Sequence, residues 1–358
     1  MSTFHRLTVA QVQPETRDAV VVSFDIPDDL RETFRFTQGQ YLTLRATIDG
    51  EEVRRSYSIC SAVQEDALRV AIKHVSGGVF STWANTALKA GASLDVMPPE
   101  GRFHAPLDKS SARHYLAIAA GSGITPLISI IKTTLHAEPG SRFTLVYGNR
   151  SSSSVIFKEA LADLKDRYME RFRLVHVLSR EHQDVDLFNG RLTRAKCEEL
   201  FRNWIPLSGI DLVFICGPGE LIREASEVLT ANGMPAERIK VEMFSAGAPT
   251  RKKHSQAAGT LATSHCAVTV ISDGARMGFT MEKDKESVLD AALRQGIDLR
   301  YSCKAGVCST CRCKVLQGKV DMDVNYALED YEVAHGFALS CQSFPVTDEL
   351  VLDFDQGH

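Results

Sequence analysis

The chain opens with short runs in which apolar and polar residues alternate, which is the pattern of half-buried β-strands. The runs are separated by turn residues such as Gly39, Asp49-Gly50 and Pro98-Pro99. Such runs predict a small antiparallel β-barrel, interrupted by one helix over residues 80–88. The predicted strands cover residues 7–12, 19–26, 40–46, 53–59, 68–75 and 93–97.

From Tyr115 onward the pattern changes to continuous apolar strands that alternate with helical stretches. Strands that are buried on both faces have such continuous apolar runs, so the pattern predicts a doubly wound α/β domain with a parallel sheet between helices. Its predicted strands cover residues 115–120, 143–147, 172–178, 212–216 and 239–244.

Residues 245–265 are poor in large apolar side chains and rich in small and basic ones, a composition typical of a linker. A third, α+β domain follows, with strands near 266–271, 313–316 and 350–354 and a helix near 287–295. The predicted boundaries are a barrel over 1–106, an α/β domain over 107–246, a linker over 247–265 and the third domain over 266–358.

Length and charge agree with several domains and set limits on partners. A chain of 358 residues exceeds what one hydrophobic core usually organises. Its formal net charge of −4 predicts neither nucleic-acid nor membrane binding. From Cys266 onward, 9 Lys and Arg face 15 Asp and Glu, which makes the third domain either an acidic docking surface or simply well solvated.

The cysteine count and the lengths of the apolar runs indicate in which cellular compartment the protein is expected. No run approaches the roughly 20 apolar residues of a membrane helix, and the N-terminal residues alternate like a strand instead of forming an apolar signal core. Nine cysteines are an odd number, and four of them cluster late in the chain. These features favour metal ligation in a reducing compartment, and so a cytoplasmic protein without a membrane partner.

The strongest chemical signal is the spacing of Cys303, Cys308, Cys311 and the distant Cys341. Three thiolates in one short loop and a fourth that closes the site are typical of plant-type [2Fe–2S] ferredoxins. A zinc site is the alternative, but zinc ligands favour paired Cys-x-x-Cys units. We therefore predict an iron–sulfur cluster on these four thiols, with Cys313 as a packed core thiol.

Two segments of the barrel suggest a bound cofactor. Arg55-Ser56-Tyr57-Ser58 ends a predicted strand and combines a phosphate-binding guanidinium, a flat ring and hydroxyls. Gly77-Gly78-Val79-Phe80-Ser81 is a glycine turn that opens a helix, where free N–H groups favour a pyrophosphate. Ordinary exposed strand residues and a plain turn are the alternatives.

The α/β domain carries a second set of such segments. Its first strand runs into Gly121-Ser122-Gly123-Ile124-Thr125-Pro126, a phosphate-approach loop in which Pro126 replaces the third glycine of the dinucleotide fingerprint. Later strands end in Tyr147-Gly148-Asn149-Arg150, Ser179-Arg180-Glu181 and Cys216-Gly217-Pro218. Because ligands of open α/β sheets bind beyond the carboxyl ends of strands, these loops are expected to share one site.

In order and spacing these motifs resemble the ferredoxin–NADP reductase family, and the four-cysteine segment resembles a plant-type ferredoxin. The resemblance covers essentially the whole chain. It implies an oxidoreductase that binds FAD, a nicotinamide cofactor and a [2Fe–2S] cluster, with a β-grasp fold for the third domain. A nicotinamide releases two electrons as hydride, the cluster takes one at a time, and the flavin connects the two.

The resemblance also implies roles for individual residues. Ser58, Cys216 and Glu242 would be catalytic, with Ser58 facing the flavin N5 and the other two framing the nicotinamide. The expected FAD-binding residues are Arg55, Ser56, Tyr57, Ser58, Gly77, Gly78, Val79, Ser81 and, as a cover on the flavin, Phe244. The expected nicotinamide-cofactor residues are Gly121, Gly123, Thr125, Pro126, Tyr147, Asn149, Arg150, Ser179, Arg180, Cys216, Gly217 and Pro218. Ser179 and Arg180 match the 2′-phosphate site of NADP-using members, which predicts NADPH over NADH.

More closely, residues 115–126, 143–150 and 314–320 are similar to the reductase subunits of ring-1,2-phenylacetyl-CoA epoxidases. This implies a di-iron oxygenase component of aerobic phenylacetate degradation as the partner. A reductase for a phenol or ring-hydroxylating oxygenase is a second reading, and an iron–sulfur redox sensor is a third from another class.

Overall fold

The computed structural model describes residues 4–244 and 264–357. The chain divides into two compact units, one of residues 4–245 and one of residues 246–358. All but the last two residues of the predicted linker, 247–265, lie outside the described residues. The domain boundaries therefore stay predictions, and the two units are described separately.

The first unit begins with the antiparallel barrel that the alternating pattern predicts. Its strands are in the spatial order β4-β3-β6-β1-β2-β5. After β4, Ile59 bridges to Val70 of β5, and the Cys60 N–H donates to the Arg69 carbonyl at 2.9 Å, so the two edge strands meet and the sheet closes. The elements are β1 (His5–Thr16), β2 (Ala19–Asp25), β3 (Tyr41–Ile48), β4 (Glu51–Ser58), β5 (Leu68–Lys73), α1 (Val79–Thr86) and β6 (Ser93–Val96).

The core of the barrel follows the two-residue period of its strands. In β1, Leu7 and Val9 are fully buried while Arg6 and Thr8 are exposed. Helix α1 buries Phe80 in the same core, and the Phe80 ring lies 5.6 Å from the ring of Tyr57. Packing of α1 thus holds the glycine turn next to the end of β4.

The second half of this unit is a five-stranded parallel sheet in the order β11-β10-β7-β8-β9, as the continuous apolar runs predict. Helices cover both faces with separate apolar cores. The winding reverses between β7 and β10, which creates the crevice where such sheets bind ligands. The elements are β7 (His114–Ala120), α2 (Ile124–Ala137), β8 (Arg142–Asn149), α3 (Lys158–Arg167), β9 (Phe172–Leu178), α4 (Arg194–Asn203), β10 (Leu212–Gly217), α5 (Gly219–Ala231) and β11 (Ile239–Met243).

A buried carboxylate connects the segments at the start of this parallel sheet by hydrogen bonds. Glu138, just after α2, is fully buried and accepts hydrogen bonds from the Tyr115 hydroxyl at 2.9 Å, the Ser141 hydroxyl at 2.7 Å and the Asp108 N–H at 3.0 Å. Burial and the bond to Glu138 raise the pKa of Tyr115 to about 12. Three separate segments are therefore joined through one side chain.

Glu138→Ala should lower the free energy of unfolding by about 3 kcal/mol, because it leaves several buried donors unpaired. The measurement is the thermal unfolding midpoint of the intact protein. Glu170→Ala, an exposed carboxylate in the same domain, is the control and should change stability by less than about 0.5 kcal/mol. Equal midpoints for the two variants would contradict the role assigned to Glu138.

The second unit is an α+β β-grasp, the fold implied for the third domain. A mixed sheet in the order β13-β12-β18-β14-β16 packs against α6, whose N-terminal Ser287 accepts a hydrogen bond from the Asp290 N–H. Sequence analysis missed β13, β15, β16, β17 and α7. The elements are β12 (His265–Ser272), β13 (Ala275–Glu282), α6 (Val288–Arg294), β14 (Arg312–Gln317), β15 (Val320–Met322), α7 (Asp330–Ala334), β16 (Phe337–Leu339), β17 (Ser343–Pro345) and β18 (Glu349–Asp353).

Candidate functional site

The end of β4 presents a cation, a flat ring and a hydroxyl within four residues. Arg55 is exposed, Tyr57 is half-buried against Phe80, and Ser58 is buried. The Ser56 hydroxyl lies 3.2 Å from that of Thr43 on β3, so it is held by the neighbouring strand. Burial raises the pKa of Tyr57, which keeps its phenol neutral. These groups suit a planar ring system that carries a phosphate.

The glycine turn before α1 leaves room for an anionic group. Gly77 has a φ of +74°, and a Cβ there would meet nothing within 4 Å. At Gly78 a Cβ would lie 2.6 Å from the Ser81 hydroxyl, which donates to the Gly78 carbonyl and accepts from the Val75 N–H. The turn is therefore tied to the first turn of α1, where backbone N–H groups favour phosphate. Val79 is exposed beside it.

The loop after β7 allows close approach to the backbone at the switch point of the parallel sheet. Gly121 has a φ of +55°, and a Cβ on Gly123 would lie 2.1 Å from the Cys216 carbonyl oxygen. The Tyr147 hydroxyl donates to the Gly121 carbonyl at 2.9 Å, and that of Thr125 to the Ser122 carbonyl at 3.0 Å. The positive φ at Gly121 favours glycine, and any side chain at Gly123 would collide with the Cys216 carbonyl. The loop after β7 therefore packs directly against the end of β10.

Other expected residues of the α/β domain lie around the same loop. Pro126 occupies the first turn of α2 and is buried. Gly217 is buried at the end of β10, and Pro218 is exposed where α5 begins. The backbone N–H of Phe244 approaches the Gly217 carbonyl at 3.5 Å, and its half-buried ring packs against the apolar core.

Three polar groups meet where the barrel faces the parallel sheet. The Ser58 hydroxyl donates to Oε2 of Glu242 at 3.2 Å, and Glu242 is the register partner of Cys216 across β10 and β11. Burial, followed by the charge of Glu242, raises the pKa of Cys216, which keeps the thiol neutral. The structure thus brings together the three residues expected to be catalytic. A hydroxyl, a carboxylate and a neutral thiol can orient a carboxamide-bearing ring, and none is placed as a covalent nucleophile.

The loops after β8 and β9 are also joined. The Ser179 N–H donates to the Asn149 carbonyl at 3.0 Å, and the Arg180 N–H to the Arg150 carbonyl at 2.8 Å. Asn149 is buried, and its Nδ2 has no acceptor among the residues that the structure describes. An unsatisfied buried donor at the carboxyl end of a strand fits a bound polar ligand.

The four expected cluster ligands form two pairs of thiols in the second unit. Cys303 contacts Cys308, and Cys311 contacts Cys341. Hydrogen bonding from the Cys308 thiol lowers the pKa of Cys303. Within residues 4–244 and 264–357, no three His, Cys, Asp or Glu side chains converge on one ion position. Two thiols for each of two irons is the donor set that a [2Fe–2S] cluster requires.

Backbone N–H groups point at these sulfurs. The Ala305 N–H donates to Cys303 Sγ at 3.3 Å, and the Cys303 N–H to Cys308 Sγ at 3.5 Å. Such bonds stabilise thiolates and tune a cluster's potential. Lys304 and Ser309 adopt positive φ values of 51° and 46°, so the loop accepts strain in this arrangement.

Cys313 lies apart from both pairs. It is fully buried in β14, and its thiol points to the Ala338 carbonyl at 3.6 Å. Burial raises its pKa. The structure therefore puts this cysteine in the core, as the sequence predicts.

Three protein families match successive parts of the chain. The family described as "Oxidoreductase FAD-binding domain" matches residues 6–105, "Oxidoreductase NAD-binding domain" matches 117–227, and "2Fe-2S iron-sulfur cluster binding domain" matches 270–346. The order is the one that the motifs predict. FAD, a nicotinamide cofactor and a [2Fe–2S] cluster are thereby confirmed as the cofactors.

Full-length relatives match the chain from end to end. The chain is 48% identical over 355 residues to a subunit of the 1,2-phenylacetyl-CoA epoxidase of Escherichia coli, covering 99% of each chain. It is 36% identical to "3-ketosteroid-9-alpha-monooxygenase, ferredoxin reductase component" of Rhodococcus rhodochrous, covering 97% of this chain and 96% of that one. The chain belongs to the family of oxygenase reductase components. This reductase component is an NAD(P)H-dependent oxidoreductase.

A solved structure supports the fold of the reductase component. Phthalate dioxygenase reductase, at 24% identity, aligns with a TM-score of 0.60 over 98% of both chains. The barrel, the parallel sheet and the β-grasp are thus confirmed as the fold. No helix in the described residues is long and apolar enough to cross a membrane.

Two further polar residues lie near the nicotinamide loops and were not predicted from the sequence. Lys73, at the end of β5, has its Nζ 3.9 Å from where a Cβ on Gly121 would lie, and it pairs with Asp18 at 3.5 Å. Ser152, after β8, donates to the Glu181 carboxylate. Neither lies in a recognisable motif, and only the fold brings each to the loops.

Proposed function

We propose that this reductase component delivers electrons to the di-iron oxygenase component of a phenylacetyl-CoA epoxidase. The observation that carries the proposal is the 48% identity to the E. coli protein, which extends over 99% of both chains and so includes the cluster domain that meets the partner. The 36% identity to the ketosteroid system makes the reductase of another oxygenase the second candidate.

Reconstitution tests the choice of partner. The intact reductase is mixed with NADPH and either a phenylacetyl-CoA epoxidase oxygenase component or a ketosteroid monooxygenase oxygenase component, each with its own substrate. Faster product formation with the epoxidase supports the proposal. Turnover only with the ketosteroid system would overturn the choice of partner while leaving the reductase activity intact.

The residues around the FAD site have defined tasks in this proposal. Bound FAD would supply a hydride acceptor and the [2Fe–2S] cluster a single-electron carrier, which is chemistry that side chains lack. Arg55, with the turn at Gly77 and Gly78, binds the pyrophosphate, and Tyr57 stacks on the ring system. Ser58 and Glu242, already hydrogen-bonded, orient the two rings at the reacting face.

The α/β domain binds the nicotinamide cofactor in the same proposal. The glycines at 121 and 123 let the backbone approach its phosphates, and Lys73 adds a cation beside that loop. Cys216 forms a neutral wall next to Glu242. Asn149 uses its unsatisfied Nδ2 on the cofactor, while Arg150, Ser179 and Arg180 bind a 2′-phosphate.

Arg180→Gln should raise the KM for NADPH about tenfold and leave the KM for NADH nearly unchanged, because only NADPH carries the 2′-phosphate. The measurement is the steady-state rate of dye reduction with each cofactor. Arg202→Gln, an exposed arginine on α4, is the matched control. An equal effect of Arg180→Gln on both cofactors would refute the NADPH assignment.

We also propose that the protein works in the cytoplasm. All nine cysteines are free thiols, and the four cluster ligands must stay reduced to bind iron. Fractionation of cells, with the cluster absorbance as the marker, tests this location.

A further inference from the structure

The loops after β8 and β9 are joined by a carboxylate as well as by backbone bonds. Oε2 of Glu181 accepts from the Ser152 N–H at 2.7 Å and from the Ser152 hydroxyl at 2.9 Å. Ser151 and Ser154 form a capping box around Ser152, which fixes the orientation of that N–H. Both donors of Ser152 are thus aimed at one carboxylate.

The Glu181 side chain is directed at Ser152. Glu181 follows Arg180 directly, and the Arg180 N–H is bonded to the Arg150 carbonyl, so both guanidiniums start from neighbouring backbone positions. The carboxylate nevertheless bonds to Ser152. In the described part of the chain, neither the Arg150 nor the Arg180 guanidinium has a hydrogen bond or ion pair.

The charge on this carboxylate persists. The N–H and hydroxyl of Ser152 lower the pKa of Glu181, so it stays negative at neutral pH. A carboxylate that turned toward the guanidiniums of Arg150 and Arg180 would pair with them and repel a phosphate. In the structure, the N–H and hydroxyl of Ser152 hold the carboxylate.

We propose that Ser152 is a specificity-determining positioning residue, which holds the Glu181 carboxylate away from Arg150 and Arg180 and so keeps both guanidiniums open to the 2′-phosphate of NADPH. The inference rests on the proposed NADPH site and adds to it the residue that keeps the site cationic. NADH lacks the 2′-phosphate, so its binding is independent of Ser152.

Three variants test this role by their KM for NADPH and for NADH. Ser152→Pro removes both donors, the backbone N–H and the hydroxyl, at the first position of a helical turn, where proline is tolerated. The released carboxylate should raise the KM for NADPH about three- to fivefold, with kcat and the KM for NADH unchanged. Glu181→Gln keeps the shape without the charge and should stay within about twofold of the unmodified protein. The double variant Ser152→Pro/Glu181→Gln should return to that same range, because the released group is neutral.

Two results would overturn the proposal. A KM for NADPH that Ser152→Pro leaves unchanged would show that the carboxylate needs no holding. Equal weakening of NADPH binding in Ser152→Pro and in the double variant would mean that Ser152 stabilises the loop and does not control its charge. Arg180→Gln, measured alongside, separates failure of the Ser152 role from failure of the proposed NADPH site. If Arg180→Gln changes the KM for NADPH and for NADH equally, the NADPH site itself is wrong.

Discussion

Cys341→Ser is expected to yield a protein without its [2Fe–2S] cluster that still reduces small dyes with NADPH. Cys341 lies 30 residues after Cys311 in the chain and forms the second thiol pair with it. A serine oxygen is a poor ligand where iron–sulfur clusters prefer thiolates. Electron delivery to an oxygenase component should fall at least about a hundredfold, since losing a direct ligand costs more than disturbing its surroundings. Iron and sulfide content and the visible spectrum measure the loss.

Cys313→Ala is the matched control for that variant. Cys313 lies in the same domain and is also buried, yet it faces the core and joins neither pair. The variant should retain full iron and sulfide content. An iron-free Cys313→Ala protein would show that the assigned ligand set is wrong.

A chain that ends at residue 250 should remain a flavoprotein that oxidises NADPH at roughly the intact rate with electron-accepting dyes. Residues 4–245 form a compact unit with three apolar cores of their own, and every residue proposed for FAD and NADPH lies within it. Flavin absorbance and dye reduction measure the outcome. Loss of FAD on truncation would contradict the independence of this unit, and Cys341→Ser is the full-length control that lacks the cluster.

Much of the fold follows from local pattern. Alternation in β1 and continuous apolar runs in β7, β8 and β10 predict the barrel and the parallel sheet, because burial on one face or two leaves its period in the sequence. The three-residue strands β15, β16 and β17 are too short to show any period. β13 is an edge strand with mostly exposed side chains, and only pairing with β12 defines it.

The residues of the candidate site also fall into two groups, those that a local motif reveals and those that only the fold brings together. Cys303 to Cys311 and the glycine loops carry their chemistry in local spacing, so sequence alone points to them. Ser58 and Glu242 are 184 residues apart, and their bond depends on how the barrel meets the sheet. Lys73 and Ser152 act across loops with no shared motif. Long-range contacts of this kind have no local period or motif that would reveal them.

The central claim is that electrons pass from NADPH through FAD and the cluster to the oxygenase component, with the cluster domain as their exit. The most direct test is product formation from phenylacetyl-CoA by the epoxidase oxygenase component, driven by NADPH and either the intact reductase or the chain that ends at residue 250. Product is expected with the intact protein and none above background with the shortened one, although both reduce dyes. Full turnover with the shortened chain would contradict this electron route.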